Sequence, residues 1–397
     1  MEEKAGRVEF GAAARWLWRL QPGPAFLNHG SFGACPKAVL DAQDVIRDEM
    51  ERAPDQFFET PIMPDRATGG LRAVAEEVGA FIGAPGEAIA LVENATTGIQ
   101  AVLNSLDLGP GDEVLTTSQR YNAVRLAVEE RCARAGAVPV AAAIPLGAGE
   151  EEMVERIEAA VTARTRFAII DHVASPTALI FPVATIAARL GYRGVKVLID
   201  GAHAIGQLPL DLPAIGADWH VTNAHKWLFA PKGCGLLWAS PRVAPSTKPA
   251  ITSHFVGLGF PYAFDYIGTR DYSGWLALPA ALAFWRRLGG FQRLGPYNRD
   301  LIGFASDVLA RIGAQPVGTP GQSAFMRAFI LPTRAASVLQ DALDLRRELW
   351  AREQIQVAAG VLDGALLLRL SAQAYVTRDD FARLAEALDR LGWRGRQ

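Results

Sequence analysis

Cysteine and concentrated charge are both scarce in this sequence. Its 397 residues contain three cysteines, Cys35, Cys132 and Cys234, which are widely spaced and form no CxxC pair. Such usage fits a reduced compartment and argues against a disulfide framework or a zinc site. The formal net charge of −2 points to neither a nucleic acid nor an anionic membrane as partner.

Long apolar runs and two common nucleotide-binding loops are also missing. No apolar run reaches about 18 residues, so no membrane span is expected. The first ten residues, MEEKAGRVEF, lack the apolar core of a signal peptide, which predicts a cytoplasmic protein. No strand runs into G-x-G-x-x-G, which argues against a nicotinamide dehydrogenase, and the absence of G-x-x-x-x-G-K-[ST] excludes a P-loop enzyme.

From residue 88 onwards, patterns typical of strands and helices alternate. The predicted strands are Ala88–Val92, Glu113–Thr117, Val138–Ile144, Arg166–Ile170, Val195–Ile199, Asp218–Thr222 and Gly235–Trp238. The helices predicted between them are Ile99–Leu106, Val124–Ala135, Glu152–Ala163 and Val183–Leu190. This alternation predicts an α/β fold with a mostly parallel, seven-stranded sheet that helices flank on both faces.

The rest of the chain has a different order of predicted helices and strands. After an irregular stretch, 245–264, we predict helices and two short strands, which together form a smaller C-terminal α+β domain. The helices are Trp275–Leu288, Pro296–Ile312, Arg334–Glu353 and Arg378–Leu391, and the strands are Met326–Leu331 and Leu366–Leu370. Upstream of the sheet we predict helices at Pro36–Arg52 and Asp65–Ile82. The predicted organisation is an N-terminal segment (1–25) that packs with the small domain, a large domain (26–265), and a connecting helix with the small domain (266–397).

Two ionisable residues follow predicted strands. Asp200 comes directly after the predicted strand Val195–Ile199, and Lys226 follows the strand around Asp218–Thr222. Both residues therefore lie at the carboxyl ends of strands, where open α/β sheets bind their ligands. A buried amine is a nucleophile towards carbonyls, and a buried carboxylate needs a cationic partner. Pyridoxal phosphate (PLP) explains both, because it needs a lysine for its Schiff base and an acid for its pyridinium nitrogen. A surface lysine and a capping aspartate are the alternatives.

Three further features suit the same cofactor. Asn94–Gly98 joins a strand to a helix, and its free amides and hydroxyls could bind a phosphate. Tyr121 follows the next strand and could stack on a cofactor ring. Arg369 ends an apolar strand and could bind a substrate carboxylate through two hydrogen bonds. A plain N-cap, a core tyrosine and a salt-bridged surface arginine are the respective alternatives.

Taken together, these segments resemble a known family. The chain is similar to the class V branch of the fold-type I PLP enzymes, the superfamily of class V aminotransferases and cysteine desulfurases, and especially to its isopenicillin N epimerase-like group. The matching segments are Phe26–Gly33, Glu93–Gly98, His172–Val183, Asp200–His203, Asn223–Gly233, Gly268–Asp271 and Arg369–Thr377. They span nearly the whole chain, and the block from Asp200 to Trp227 is the most specific of them.

The resemblance implies a role for each site residue. Lys226 would carry the cofactor as an internal aldimine and then move the substrate's α-proton, and Asp200 would pair with the pyridinium nitrogen. The other cofactor-binding residues would be Ala95, Thr96 and His225 at the phosphate, His203 near the phenolic oxygen, Ser175 and Tyr121 at the ring, and Thr269 at the phosphate of a second subunit. The substrate-binding residues would be Asn28, His29, Arg270 and Arg369, with Arg369 on the α-carboxylate. The protein would therefore be a homodimer with shared active sites.

Three positions depart from the cysteine desulfurases of this family. Their nucleophilic cysteine has no counterpart in Gln354–Leu368, so persulfide formation is not expected. Tyr121 replaces a ring-stacking histidine, and its phenol could donate a proton to a leaving group. Ser175-Pro176 stands where desulfurases have a cofactor-contacting asparagine, as in the epimerase-like members.

The reaction itself follows from side-chain placement rather than from the fold. Our first hypothesis is C–S bond β-elimination, through an external aldimine and quinonoid, on an S-substituted cysteine-like substrate of secondary metabolism such as antibiotic biosynthesis. Epimerisation at Cα is the alternative, and decarboxylation-coupled oxidative deamination or transamination is a third. Retention of Lys226 and Asp200 argues against a binding protein without catalysis.

Overall fold

The structure is a computed structural model that describes residues 8–63, 70–319, 321–333 and 335–393. Its strands are β1 (Ala25–Phe26), β2 (Ile89–Val92), β3 (Glu113–Thr117), β4 (Val138–Ala142), β5 (Thr165–Asp171), β6 (Lys196–Gly201), β7 (Trp219–Asn223), β8 (Gly235–Ala239), β9 (Gln315–Pro316), β10 (Met326–Ile330), β11 (Ile355–Gln356), β12 (Ala358–Leu362) and β13 (Ala365–Ser371). Its α-helices are α1 (His29–Phe32), α2 (Lys37–Arg52), α3 (Pro54–Phe57), α4 (Gly70–Phe81), α5 (Ala95–Ser105), α6 (Asn122–Ala135), α7 (Glu150–Ala159), α8 (Val183–Tyr192), α9 (Leu212–Ile215), α10 (Ser273–Leu276), α11 (Leu278–Arg287), α12 (Gly290–Ala310), α13 (Leu339–Glu353) and α14 (Arg378–Arg390).

The large sheet has seven strands in the order β2-β8-β7-β6-β5-β3-β4. Its neighbours pair in parallel, except that β8 is antiparallel to both β2 and β7. One face packs on α5 and α6 through side chains such as Val102 and Val124, and the other packs on α7 and α8 through Met153 and Ile186. Because both faces are covered, the strands are apolar at successive positions. The predicted mostly parallel sheet flanked by helices is confirmed.

A second, smaller sheet is built from the C-terminal third of the chain. It is antiparallel, has the strand order β12-β13-β10-β9, and packs against α13, which in turn contacts α14. The predicted smaller α+β region is confirmed. Gly11 and β1, from the N-terminal part of the described chain, contact this region as well, because β1 pairs with β11 and the Gly11 amide donates to the Ala374 carbonyl at 2.7 Å. The boundaries at residues 25 and 265 stay a prediction.

Several predicted elements differ in their bounds. The helix expected at Trp275–Leu288 is two helices, α10 and α11, and Pro279 stands in the first turn of the second, where its missing N–H costs nothing. The segment Phe26–Gly33 contains the short helix α1. The small-residue strand β12 was not predicted, because alanine and glycine carry little strand signal. The helices expected to start at Asp65 and Arg334 begin at Gly70 and Leu339 in the described ranges, and residues 64–69 and 334 lie outside them.

Across the described ranges, no helix combines the length and apolarity needed to cross a membrane. The chain does, however, bury most of its histidines. Five of the six are buried or nearly so, and burial lowers the pKa of each one: His29 to about 3, His172 and His225 to about 4, and His203 and His220 well below the usual value. The ring nitrogens of His220 have no hydrogen-bond partner among the described residues, and its ring lies 5.8 Å from that of His172.

Removal of His220 is therefore expected to make the folding stability less sensitive to acid. In the wild type the folded state keeps this ring neutral while the unfolded chain binds a proton below pH about 6.5, so stability falls as pH drops. His220→Leu should retain about 2 kcal/mol more of its stability than the wild type between pH 7 and pH 5. Urea unfolding of the holoenzyme at the two pH values measures this difference.

The wild type and the variant must be compared directly, because some buried acids change the pH dependence of the folding stability in the opposite direction. Burial raises the pKa of three carboxyls, Asp171, Asp200 and Asp265, and their contribution to stability is lost as pH rises through those values. His254→Gln, at an exposed histidine, is the matched control. An identical loss of stability in the wild type and in His220→Leu would contradict the expectation.

Candidate active site

A cavity of about 570 Å³ opens at the carboxyl edge of the large sheet. The ends of β5, β6 and β7 meet there, together with the start of α5, because parallel strands bring their carboxyl ends to one edge. The cavity lining includes nine of the residues predicted from the sequence: Ala95, Thr96, Tyr121, Ser175, Asp200, His203, His225, Lys226 and Arg369.

The amine of Lys226 is buried in this cavity. Its Nζ lies 3.3 Å from Nε2 of His203. Burial and the nearby Arg369 cation lower the pKa of Lys226 to about 7, although the Asp200 carboxylate acts in the opposite direction. A substantial fraction of this amine is therefore unprotonated near neutral pH, the form that attacks a carbonyl or accepts a proton.

A buried carboxylate faces the lysine. Asp200 is the penultimate residue of β6, and its Oδ1 accepts a hydrogen bond from the Ala202 amide at 3.0 Å. Burial raises the pKa of Asp200, while the Ala202 amide and the Lys226 cation lower it. A carboxylate held in this way is completed by a cation that enters the cavity.

The N-terminus of α5 has one free donor position. Asn94 caps the helix by accepting from the Thr97 amide at 3.0 Å, and Asn223 accepts from the Ala95 amide at 2.8 Å. The amide and hydroxyl of Thr96 have no partner among the described residues, and Lys232 lies on the same cavity wall. A helix start with a free amide, a hydroxyl and a nearby lysine suits a phosphate.

Arg369 is a buried cation without an anionic partner. It is 6% exposed, and its guanidinium donates to the carbonyl and Oγ of Ser175 (3.1 Å to Oγ) and to Oγ of Ser31 at 2.9 Å. No Asp or Glu in the described part of the chain pairs with it, and its Nε has no hydrogen-bond partner. Burial lowers the pKa of Arg369 to about 10. Such a group recruits a carboxylate from a ligand.

Tyr121 also lines this cavity, and it is exposed. It precedes α6, its side chain is 48% exposed, and its phenol has no hydrogen-bond partner in the described ranges. The phenol is close enough to Arg369 to affect that group electrostatically. Tyr121 is thus free to contact a ligand, and its stacking on a cofactor ring stays a prediction.

Four other predicted site residues lie outside this cavity. Asn28 borders a neighbouring cavity and accepts from Ser31 Oγ at 2.7 Å. Thr269 is exposed and bonds to the Tyr266 hydroxyl at 3.2 Å, so its predicted reach into a partner subunit stays a prediction. The other two are His29, whose predicted place at the substrate entrance needs correction, and Arg270.

His29 does not line the substrate entrance as predicted. It is fully buried behind the lysine, with its ring nitrogens 2.8 Å from the Tyr375 hydroxyl and 2.9 Å from the Lys226 carbonyl. It therefore positions the backbone of the lysine segment. Arg270 pairs with Glu93, and its guanidinium lies 4.6 Å over the Trp275 ring. Its charge is paired within the chain, and substrate binding by Arg270 stays a prediction.

Two residues that the sequence reasoning missed complete the site. Asp171 ends β5 directly beside Asp200, its partner in the strand register. It is buried in the cavity wall, and burial together with the charge of Asp200 raises its pKa well above the usual value. Its position at a strand end was the signal that could have found it. Ser31 holds Arg369, and only the folded chain brings these two residues together.

Close backbone packing holds the lysine segment in place. Gly33 has φ +67°, a conformation that favours glycine, and a Cβ there would lie 2.1 Å from the His225 carbonyl oxygen. The loop after α1 can therefore lie directly against His225 and Lys226. This contact gives a structural reason for a glycine in the segment around Ser31, which packs on the lysine segment.

Comparisons with known proteins agree with this geometry. The aminotransferase class-V family model matches residues 34–384. The chain is 29% identical to a putative L-cysteine desulfhydrase of Oryza sativa subsp. japonica, over 94% of this chain and 84% of that protein. It is 32% identical to the isopenicillin N epimerase of Streptomyces clavuligerus, over 95% and 97%. A solved structure of the cystine C–S lyase C-DES with cysteine persulfide superposes with a TM-score of 0.79 at 21% identity, covering 94% and 99% of the chains, which shows a shared fold.

The residues of the cavity fit PLP, the cofactor of this family. Asp200 is a buried acid that would pair with the pyridine nitrogen, and Lys226 is an amine of lowered pKa that would react with the aldehyde carbon. The free amide of Thr96 would bind the phosphate. The chain therefore belongs to the class V aminotransferase family, and it is a PLP-dependent enzyme.

Proposed function

We propose that this enzyme is a C–S lyase that removes the sulfur substituent of an S-substituted cysteine-like amino acid by β-elimination. The observation that carries the proposal is the joint placement of Lys226, Arg369 and Tyr121 around one cavity. These three groups supply an α-proton acceptor, a carboxylate clamp and a proton donor on the leaving-group side. The similarity to L-cysteine desulfhydrases supports the same reaction.

Each residue has a defined task in this proposal. The Arg369 guanidinium binds the α-carboxylate through parallel hydrogen bonds and so orients the Cα–H bond towards Lys226. The unprotonated Lys226 amine accepts the α-proton, and the C–S bond breaks with its electron pair going to sulfur. The Tyr121 phenol donates a proton to the departing thiolate. PLP, when bound, supplies the electron sink for the charge at Cα, and Asp200 keeps its ring nitrogen protonated.

The absence of a cysteine in Gln354–Leu368 separates this reaction from persulfide chemistry. No thiol of that segment can attack a substrate sulfur. The free thiols of Cys132 and Cys234 are buried, and burial raises the pKa of both. A released thiol is therefore the expected sulfur product, with pyruvate and ammonia as the other products of an S-alkyl cysteine.

Epimerisation at Cα is the second candidate, and the position of Tyr121 supports it. A proton donor that lines the same cavity as Lys226 could return a proton to the other face of Cα. The 32% identity to an isopenicillin N epimerase fits this candidate. The role in secondary metabolism, the homodimer and the cytoplasmic location stay predictions.

Incubation of the holoenzyme with S-alkyl cysteines tests the proposal. Elimination is expected to yield thiol, pyruvate and ammonia in equal amounts, and Tyr121→Phe is expected to lower this rate by about 10²-fold, because only the proton donor is lost. Uptake of deuterium at Cα without a carbonyl product would indicate epimerisation. Release of carbon dioxide with oxygen consumption would indicate oxidative decarboxylation. Either result without thiol release would rule out the lyase.

A further inference from the structure

A second cavity adjoins the active site. It has a volume of about 430 Å³ and shares part of its wall with the first cavity. The shared residues are Ser31, Phe32, Tyr121, Ser175 and Arg369. A ligand held by Arg369 can therefore extend past Tyr121 from one cavity into the other.

The charged side chains that line the second cavity are all cationic. Its described lining contains Arg120, Arg346 and Arg369, and no aspartate or glutamate. Arg120 is half-buried and uses Nη1 to donate to the Thr117 carbonyl at 2.7 Å. Arg346 projects from α13 and has no hydrogen-bond or ion-pair partner in the described ranges. Two guanidiniums beyond Arg369 thus face a cavity without a counterion.

The acids nearest to Arg120 are engaged elsewhere. Glu129 accepts from Nη1 of Arg125 at 2.7 Å, and Asp171 lines the first cavity, where burial keeps its pKa high. Neither carboxylate lines the second cavity. An anion that entered there would meet three guanidiniums and no carboxylate on the described lining, and this attraction strengthens as water is displaced.

The shape of the second cavity suits an aliphatic chain that ends in a polar group. One wall is the strand β12, whose residues Ala358, Ala359 and Gly360 present little side chain, and Leu367 from β13 adds an apolar surface. The polar residues Asn28, Ser118 and Asn122 lie on the lining together with the arginines. Methylene groups can pack on the small and apolar residues while the terminal group reaches a guanidinium.

We propose that the second cavity is a subsite for the sulfur substituent of the substrate, and that it selects substituents that end in a carboxylate. This inference rests on the proposed C–S lyase function, since it assigns the α-carboxylate to Arg369 and the leaving group to the side of Tyr121. Arg120 and Arg346 bind the distal carboxylate. The preferred substrates are therefore dicarboxylic thioethers of cysteine.

A pair of substrates that is matched in size and differs in charge tests the subsite. S-(2-carboxyethyl)-L-cysteine and S-(2-carbamoylethyl)-L-cysteine differ in one terminal charge and are almost identical in size, and a second pair with four methylene groups extends the reach. The wild-type holoenzyme is expected to favour the carboxylate in kcat/KM by about tenfold or more, as for one charge-assisted hydrogen bond. In the double variant Arg120→Gln/Arg346→Gln the ratio should fall below about threefold.

Arg347→Gln is the matched control, because this neighbour of Arg346 pairs with Asp344 and does not line the cavity. It should keep the wild-type ratio. Equal kcat/KM values for the two substrates in the wild type would overturn the proposal, and so would a ratio that persists in the double variant.

A binding measurement decides the subsite independently of turnover. The unreactive ligand 3,3′-thiodipropionate lacks the amine, and isothermal titration compares it with its monoamide on the holoenzyme. The dicarboxylate should bind about tenfold more tightly, well beyond the factor of two that its symmetry allows. If no cysteine thioether releases a thiol, the proposed lyase function is wrong. The ratio of the two dissociation constants still supports or overturns the subsite in that case.

Discussion

Substitution of Lys226 by alanine is expected to abolish the absorbance of the bound cofactor at about 420 nm and to lower kcat by at least about 10³-fold. The buried Nζ is the amine that the cavity presents, and its pKa of about 7 leaves it free to react with an aldehyde. The same amine then moves the α-proton, so one substitution removes both covalent attachment and the base. Spectra and steady-state rates of the purified variant measure the two effects.

The control for this experiment is Lys196→Ala, since Lys196 is an exposed lysine at the start of β6. It should remain yellow and fully active. Addition of methylamine to Lys226→Ala provides a further check, because a small amine can occupy the space of the lost side chain and restore part of the proton transfer. A variant that keeps the 420 nm band after dialysis would show that another lysine carries the cofactor, and Lys232 on the same cavity wall would then be the next candidate.

Substitution of Arg369 by glutamine is expected to lower kcat/KM by about 10²- to 10³-fold while the cofactor band remains. A buried guanidinium that pairs with a ligand carboxylate contributes about 2–5 kcal/mol when its removal leaves the carboxylate unpaired. Most of the loss should appear in KM, because the α-carboxylate is bound in both the ground state and the transition state. Arg369→Lys should recover part of the loss, since an ammonium keeps the charge but not the parallel hydrogen bonds.

Arg327→Gln serves as the matched control for Arg369. Arg327 lies on the neighbouring strand β10, is partly buried, and donates to the Gly318 carbonyl at 3.3 Å outside the active-site cavity. It should leave kcat/KM within about twofold of the wild type. An unchanged KM in Arg369→Gln, with the cofactor bound, would show that the α-carboxylate binds elsewhere.

The large sheet could be predicted closely because its strands are buried on both faces. Such strands are continuous apolar runs, and the helices between them have their own period, so the alternation survives in a single sequence. The bounds of β3 match the prediction at both ends. Elements with weak local signals were predicted less accurately. The alanine- and glycine-rich β12 and the pair α10 and α11, which a proline divides, are examples.

The candidate site was predictable where function coincides with strand ends. Lys226, Asp200 and Tyr121 follow strands of one sheet, and the topology of parallel strands brings them to one edge. The burial of individual side chains could not be predicted in the same way. His29 follows a short strand in the sequence, but packing against Tyr375, nearly 350 positions away, turns it into the core.

Chain order and apolar periodicity thus determined the fold class, while the residues at the strand ends and the family resemblance indicated the cofactor and the lysine that we propose carries it. Tertiary structure alone decided which charges are left without partners. Ser31 and Ser175 converge on Arg369, and β12 and α13 meet the loop after β3 to enclose a second cationic cavity. The physical reason is that burial and pairing of a charge depend on residues distant in sequence, whereas strand and helix formation depends mainly on neighbours.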